Sequence, residues 1–384
     1  MPLSISSSEP PRATPPGLRL TAADRPGVAQ PVPERDIPAR PWRPISVVVL
    51  ILTLALTSLW EWRMRALELA PGDLGVSESG WANERRRIDS EPVQIAIVGD
   101  SRILFDTDLD RFERLTGIRP VQLALPGTNA RPFLEDLADD PNFKGIVIVG
   151  IADLSYFRER VGLMEAALKR GHWESPANRG SFLVDLALEH WLAFLDADYR
   201  LSTLVARLDP NLRQRVEGPY NDVWKIAYTG EARQTWLWPR IEHDARLRAH
   251  ARAAWDGFKG KPVPKDIIAM TLSRTSAAVA KIRARGGDVV FVHPPSAPQL
   301  RVNEDKRLPR SQGWDVLLAT VHVKGVHADD LPQAQGLIIP EWSHLTRTCA
   351  TVFTDAYVRR IAQLVPRIAI RADATPPLSS RNCV

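Results

Sequence analysis

The stretch VQIAIVGDSRILFDTDLDRF, Val93–Phe112, decides the fold. An apolar run rich in β-branched residues leads through Gly99 into Asp100, Ser101 and Arg102, and a helical pattern follows. A buried strand that passes through a glycine turn into a helix is typical of an α/β unit. Ser101 therefore either belongs to a structural helix cap or displays its hydroxyl for chemistry.

Further short apolar runs with helical patterns between them predict a parallel sheet covered by helices on both faces. The predicted strands span 93–98, 120–125, 145–151, 288–293 and 335–340. A final helix is predicted over about 346–366. The sheet pattern lapses between about 155 and 265, where a segment rich in Trp, Arg and Leu predicts a mainly helical insertion.

The rest of the chain divides into segments of different composition. The predicted organisation is a disordered Pro-rich tail (1–44), a transmembrane helix (45–62), a polar connector (63–92), an α/β domain with its insertion (93–368) and a loose tail (369–384).

The transmembrane prediction rests on ISVVVLILTLALTSLW, Ile45–Trp60, which carries no charge. Extended to Trp62 it forms a helix of about 27 Å, close to one bilayer core. Trp42 lies on one side and Trp60 and Trp62 on the other, as in an aromatic belt. A buried core helix is the alternative. Arginines flank both ends, so charge alone does not determine the orientation.

Composition narrows the class of protein. The 384 residues carry a net charge of +5, with 44% hydrophobic and 25% charged residues. The arginines are scattered, and no basic block with interleaved aromatics indicates nucleic-acid binding. Cys349 and Cys383 have no metal or redox spacing, and Cys349 is expected in the core. No metal or organic cofactor is predicted.

Ser101 would need a base and an orienting acid to act as a nucleophile. His344 follows the last predicted strand and so lies at the same sheet edge as Ser101. Glu341, three residues earlier, could accept a hydrogen bond from Nδ1 and leave Nε2 for the serine. A structural histidine is the alternative. His293 ends the fourth predicted strand and is a candidate substrate contact or reserve base.

GDSR after the first strand and Glu-x-x-His-Leu near the carboxyl terminus together resemble the SGNH (GDSL-like) hydrolase family. The resemblance covers about 93–155 and 285–366. It implies a three-layer α/β/α sandwich with a flavodoxin-like parallel sheet. It also implies that Ser101 is the nucleophile, His344 the base and Glu341 its partner, with the Gly127 N–H in the oxyanion hole.

The third motif of that family, Gly-x-Asn-Asp, is altered here. The asparagine position holds Ala152, which has no side-chain donor. Either Asn129 supplies the missing amide or the oxyanion hole is weakened, since one lost donor costs about 2.7–4 kcal/mol. Asp153 of this motif and Arg102 beside Ser101 are further candidate substrate contacts. A solvated Arg102 at a helix start is the alternative.

The resemblance implies an esterase or O-acyltransferase acting on acyl esters of cell-envelope or extracellular polysaccharide. It also implies a bacterial inner-membrane protein with one membrane helix, a cytoplasmic amino terminus and a periplasmic domain. Polysaccharide-assembly proteins are candidate partners. The alternative is a non-catalytic binding or scaffold subunit of such a complex. Phosphoryl transfer is excluded, because GDSR lacks the glycines and lysine of a phosphate loop.

Overall fold

The computed structural model describes residues 40–92, 94–159, 162–207, 225–255 and 260–383. The chain divides into two compact units, 1–59 and 60–384. The predicted disordered tail lies mostly outside the described residues, which begin at residue 40.

A five-stranded, wholly parallel sheet lies at the centre of the larger unit. Its strands are β1 (Ile95–Val98), β2 (Val121–Gln122), β3 (Ile146–Gly150), β6 (Asp288–His293) and β7 (Lys324–His327), in the spatial order β2-β1-β3-β6-β7. The α/β class and the parallel sheet predicted from the sequence are confirmed. A separate antiparallel pair consists of β4 (Ala227–Thr229) and β5 (Thr235–Leu237).

Helices surround this sheet. The described α-helices are α1 Trp42–Ala66, α2 Glu78–Ser90, α3 Ser101–Phe105, α4 Leu109–Thr116, α5 Ala130–Asp139, α6 Asp153–Tyr156, α7 Gly162–His172, α8 Pro176–Glu189, α9 Leu201–Arg207, α10 Pro239–His243, α11 Ala245–Ala253, α12 Lys265–Ala284, α13 Pro298–Arg307, α14 Trp314–Val321 and α15 Arg347–Leu364. Short 3₁₀ turns occur at Ala193–Leu195, Glu231–Arg233, Ala328–Asp330, Pro332–Ala334 and Ser380–Cys383.

Alternate residues of each strand enter different cores, because successive strand side chains point to opposite faces. Ile95 and Ile97 of β1 join one core with Phe353 of α15. Ala96 and Val98 join a second core with side chains of α5, α12 and α14. Strands buried on both faces explain why the sequence shows continuous apolar runs rather than alternation.

The predicted strand at 335–340 is wrong. Gly336 has a left-handed backbone (φ 76°), and the backbone groups of Ile338 are used by the start of α15. Its N–H donates to Cys349 Sγ (3.2 Å), and its carbonyl accepts from Thr346 N–H (3.1 Å). The fifth strand is β7 instead.

The predicted connector and the predicted loose tail both pack on the domain, so the tail is not loose as predicted. The predicted connector contains α2, whose Trp81 is buried in the second core and donates to the Leu123 carbonyl at 2.8 Å. The predicted loose tail ends at Cys383, which is buried and forms a disulfide with Cys349. Both segments therefore contribute to the folded domain.

The insertion comprises helices from α7 to α11 and the β4–β5 pair. Lys225 joins it to the amino-terminal side of the domain, because its buried ammonium group pairs with Asp73 and with Asp196 (2.6 Å to the latter). Residues 208–224 and 256–259 of the insertion lie outside the described part of the chain.

Helix α1 is longer than the predicted span. It runs from Trp42 to Ala66, its most apolar window has a mean hydropathy of 1.9, and none of that window is buried. By length and composition, it is long and apolar enough to cross a membrane.

Two glycines allow α3 to pack closely on the sheet. A Cβ at Gly150 would lie 2.1 Å from the Ile103 Cβ, and a Cβ at Gly99 would lie 2.1 Å from Ile103 Cγ2. Ile103 itself is fully buried. The glycines at the ends of β1 and β3 therefore make room for the helix that begins with Ser101.

We expect Gly150→Ala to lower the free energy of unfolding by about 1–3 kcal/mol, because Ile103 and α3 must move to accept the methyl group. Thermal and urea unfolding of the full chain in detergent would measure this loss. Gly180→Ala in exposed α8 is the control, since its Cβ would meet no atom within 4 Å. It should be neutral or stabilising by up to about 1 kcal/mol. Equal stability of the two variants would contradict the packing role of Gly150.

Candidate functional site

Helix α3 is capped by Asp100 rather than by Ser101. An Asp100 carboxylate oxygen accepts from Arg102 N–H at 3.0 Å, and the other accepts from the Ser155 hydroxyl. Ser101 is the first helical residue and is half-buried. No described group hydrogen-bonds its hydroxyl. The capping function is thus supplied by its neighbour, and the Ser101 hydroxyl is left for another role.

His344 lies against the face of α3 that carries Ser101. Its imidazole stacks on Phe105 with ring centroids 4.2 Å apart and planes 24° apart. Phe105 follows Ser101 by four residues, and residues at this spacing share one helix face. The structure therefore brings the predicted base and the predicted nucleophile to the same side of one short helix.

Glu341 is fully buried and surrounded by donors. Its Oε1 lies 3.0 Å from His344 Nδ1 and accepts from the N–H groups of Ser343 (3.1 Å) and His344 (2.5 Å). Its Oε2 accepts from the indole N–H of Trp255 at 2.7 Å. Burial alone would raise the carboxyl pKa, but the nearby imidazole and these hydrogen bonds outweigh it and lower the pKa. Glu341 is therefore ionised.

The His344 imidazole is itself almost fully buried. Its Nδ1 lies 3.0 Å from Glu341 Oε1, off the direction of a linear hydrogen bond. Its Nε2 has no hydrogen-bond partner among the described residues. A buried, unpartnered nitrogen beside an ionised carboxylate is suited to accept a proton.

The turn that carries this pair is held in an uncommon conformation. Trp342 has φ 79°, a left-handed value that a bulky side chain rarely adopts. Its carbonyl accepts from Ala297 N–H at 3.0 Å. This backbone path brings Glu341 and His344 back toward one another within three residues.

The insertion contacts this turn through two residues that sequence reasoning did not identify. Arg252 donates to the Pro340 carbonyl at 2.6 and 2.9 Å, and its guanidinium lies over the Trp342 ring, 5.5 Å from the centroid. Trp255 binds Glu341, and its ring centroid is 5.9 Å from that of His344. Nothing in the local sequence indicates these contacts, because Trp255 and Glu341 are 86 residues apart.

Arg102 is buried rather than solvated. Its guanidinium pairs with Glu304 and donates to the Ser343 hydroxyl at 3.2 Å. Glu304 also accepts from the Ser296 hydroxyl at 2.7 Å. Through the hydrogen bond to Ser343, Arg102 connects α3, which begins with Ser101, to the turn that carries His344. Its Nη1 has no partner among the described residues, so a substrate contact remains a prediction for that atom alone.

Asp106 makes a second hydrogen-bonded connection between the end of α3 and the turn that carries His344. It accepts from Leu345 N–H at 2.9 Å and is completely buried. Burial raises the pKa of this carboxyl well above its ordinary value. Its Oδ2 lacks a partner within the described structure. Asp108, in contrast, is the N-cap of α4.

The two predicted oxyanion donors Gly127 and Asn129 differ in their availability for a substrate. Gly127 is exposed with φ 67°, and no atom lies within 4 Å of its hypothetical Cβ. Asn129 is buried and engaged, since its oxygen accepts from Arg131 N–H (2.9 Å) and its amide donates to the Arg158 carbonyl (3.1 Å). The structure thus directs the Asn129 amide to a backbone carbonyl. Ala152 adds no side-chain donor.

His293 also has an acidic partner, the carboxylate of Asp153. Its Nε2 lies 3.3 Å from Asp153 Oδ2, and its Nδ1 lies 3.0 Å from the Pro294 carbonyl. Its ring stacks on His327, with centroids 4.2 Å apart. Burial and neighbouring positive charges lower the His327 pKa, so that ring is neutral. His293 and Asp153 therefore form a second buried pair, distinct from Glu341 and His344.

A cavity of about 690 Å³ adjoins the candidate site. Phe105, Leu125 and Pro126 line it on the side of the sheet, and Ile226 and Ala227 line it on the side of the insertion. Pro126 directly precedes Gly127 in the sequence. No cluster of three or more metal-ligating side chains occurs in the described ranges.

Comparison with known proteins supplies no family assignment. No protein-family model matches the chain. No curated protein matches it significantly. The geometry of the site is therefore the basis for any functional conclusion.

The lowered pKa of Glu341 predicts a pH-dependent stability difference for Glu341→Gln. The ionised carboxylate contributes stability fully above the ordinary pKa of 4.5, and this is lost as the pH falls through the lowered folded-state value. We expect the variant to be less stable than wild type near pH 7, with the deficit shrinking below about pH 4.5. Urea unfolding at several pH values would measure it.

Asp106→Asn is the matched contrast, because the pKa of Asp106 is shifted in the opposite direction. The cost of burying this charge is absent in acid, grows as the pH rises from the ordinary pKa of 3.8 toward the raised folded-state value, and is complete above that value. The variant should therefore gain stability relative to wild type as the pH rises. Parallel pH profiles for the two variants would contradict the assigned charge states.

Proposed function

We propose that the protein is a serine ester hydrolase or O-acyltransferase of the SGNH type, with Ser101 as nucleophile, His344 as base and Glu341 as its orienting acid. One observation carries the proposal. A buried imidazole, 3.0 Å from an ionised carboxylate and with an unpartnered Nε2, lies against the helix face that begins with Ser101. This arrangement matches the roles required of a base and its partner.

In the proposed reaction the Ser101 oxygen attacks the ester carbonyl while His344 Nε2 takes the hydroxyl proton. Glu341 stabilises the imidazolium that forms. The tetrahedral intermediate collapses, and the leaving alcohol takes the proton from His344. The acyl group on Ser101 then passes to water or to a sugar hydroxyl, with His344 again acting as base and then returning the proton to Ser101.

Backbone donors hold the negative oxygen in this proposal. The N–H of Ser101 lies in the first turn of α3, and Gly127 presents an open loop beside the cavity. Asn129 would contribute only through the second hydrogen of its amide, since the first is directed to Arg158. The oxyanion hole is thus expected to be weaker than one with a side-chain amide, by about 2.7–4 kcal/mol.

The strand order supports the finer description of the fold. The order β2-β1-β3-β6-β7 places the crossover point between β1 and β3, as in flavodoxin-like three-layer α/β/α folds. Ligands bind at that point beyond the carboxyl ends of the strands. Ser101 follows β1 at this edge, which agrees with a site there.

The proposed substrates are acyl esters of cell-envelope or extracellular polysaccharide. The adjoining cavity offers apolar side chains for an acyl group, among them Phe105 and Leu125. Water access to the acyl-enzyme decides between hydrolysis and transfer, and the insertion forms one wall of that cavity.

A bacterial inner-membrane protein with its domain in the periplasm is the proposed location. Helix α1 supplies a candidate anchor. The Cys349–Cys383 disulfide supports an oxidising compartment, because such bonds are rare in the cytosol. The amino-terminal tail would then be cytoplasmic.

A non-catalytic binding or scaffold subunit of a polysaccharide-assembly complex is the second candidate. Ala152 and the engaged amide of Asn129 favour it, since both remove a side-chain donor from the oxyanion hole. The buried pair formed by Glu341 and His344 favours the enzyme instead.

A fluorophosphonate probe should label the wild-type protein, and Ser101→Ala and His344→Ala should each lower the labelling rate by at least about 10³-fold. His172→Ala is the control, because its side chain is 70% exposed and lies outside the site. Mass spectrometry would locate the labelled residue.

Absence of labelling in folded wild-type protein would favour the scaffold candidate. If His344→Ala is still labelled and His293→Ala is not, the general base would be His293 rather than His344. Labelling at a residue other than Ser101 would contradict the proposed nucleophile.

Trp255→Phe should slow labelling by about tenfold, because it removes a hydrogen bond to a buried carboxylate. That bond lowers the pKa of Glu341, so its loss should also move the acid limb of the pH–rate profile to higher pH. Trp173→Phe is the control, since this tryptophan is 73% exposed. A slower rate with an unmoved acid limb would indicate a purely structural role.

Cys383→Ser should lower the free energy of unfolding by about 4 kcal/mol, the value expected for a 34-residue separation. Wild-type protein in reductant should match the variant. Thiols of protein taken from its native membrane should react with maleimide only after reduction. Reaction of both cysteines without reduction would contradict the oxidising location.

A further inference from the structure

The carboxyl-terminal end of α1 is joined to the insertion by hydrogen bonds. Glu61 accepts from the N–H groups of Ala193 (3.1 Å) and Phe194 (3.0 Å). Arg65 pairs with Glu61 at 2.6 Å and donates to the Trp191 carbonyl at 3.3 Å. In a chain anchored through α1, the residues that bind this end lie where the helix leaves the bilayer.

Helix α8 approaches the same place with an apolar face turned to solvent. Leu183, Val184 and Leu188 are 48–57% exposed, and Trp191, just after the helix, is 70% exposed. Residues 184, 188 and 191 are spaced by four and three positions and so share one face. We call these four side chains the α8 face. A contiguous apolar surface of this kind marks an interaction site.

Further apolar side chains are exposed on α9 and at the end of α1. Leu201 and Val205 of α9, four residues apart, are 67% and 57% exposed. The residue before them, Arg200, pairs with Glu189 at the end of α8 at 3.0 Å, which keeps the two helices together. Trp62 of α1 is 65% exposed, one residue from the Glu61 contact.

We propose that the α8 face binds the surface of the lipid bilayer and holds the domain against the membrane. Continuity with α1 selects this partner, because Trp191 is hydrogen-bonded through its carbonyl to the helix end. Exposed tryptophans beside arginines are typical of the membrane interface, where indoles lie at headgroup depth and guanidinium groups meet phosphates. Trp62 and Trp191 occur beside Arg63 and Arg65 in this way. The inference does not depend on the proposed reaction.

A depth measurement tests this proposal on the full chain in phospholipid nanodiscs. Leu188→Cys would carry a nitroxide, and the disulfide leaves no other cysteine in the described chain free to react. The control is Val302→Cys on α13, which is 52% exposed and belongs to another part of the domain. We expect the label at 188 to collide with oxygen and to be shielded severalfold from a water-soluble nickel chelate. The label at 302 should show the reverse.

Nickel access at 188 equal to that at 302 would overturn the proposal, because the α8 face would then lie in water. Shielding of 188 from both oxygen and nickel would also overturn it, since another protein segment or a second copy would then cover the face. Val184→Cys, one turn away, repeats the measurement if the substitution at 188 disturbs folding.

Discussion

The close packing of Ile103 against Gly99 and Gly150 is the contact on which the candidate site depends. It lays the five-residue helix α3 directly over the carboxyl ends of β1 and β3. A helix this short has little stability of its own and needs tertiary contacts. Its position therefore comes from the sheet, and the direction of Ser101 is determined by the same steric fit.

Polar contacts then align the His344 turn with this helix. Arg102 reaches Ser343, Asp106 reaches Leu345, and Phe105 supports the imidazole between them. Three successive residues of the turn, Ser343 to Leu345, thus contact residues of α3 or its carboxyl-terminal cap, Asp106. Burying this many polar groups is costly unless each finds a partner. The unpartnered atoms that remain, such as His344 Nε2, are accordingly where a substrate or proton is expected to interact.

The sequence alone predicts those parts of the fold that depend on residues close together in the chain. The apolar run into Gly99 and the Glu-x-x-His spacing both involve residues that are close together in the chain. Strand β7 escaped prediction because it is an edge strand with an exposed Lys324 and carries no apolar run. The Trp255 contact and the Cys349–Cys383 bond join residues that only the tertiary fold brings together.

The insertion connects these local and distant features. Through Arg252 and Trp255 it binds the turn that carries Glu341, and through Ala193 and Phe194 it binds the end of α1. The Glu341 side chain has several rotatable bonds, so hydrogen-bond donors are needed to keep it oriented. The indole of Trp255 supplies such a donor. The insertion therefore contacts both the candidate acid, Glu341, and the end of the candidate membrane anchor, α1. A segment that reaches both places must be long.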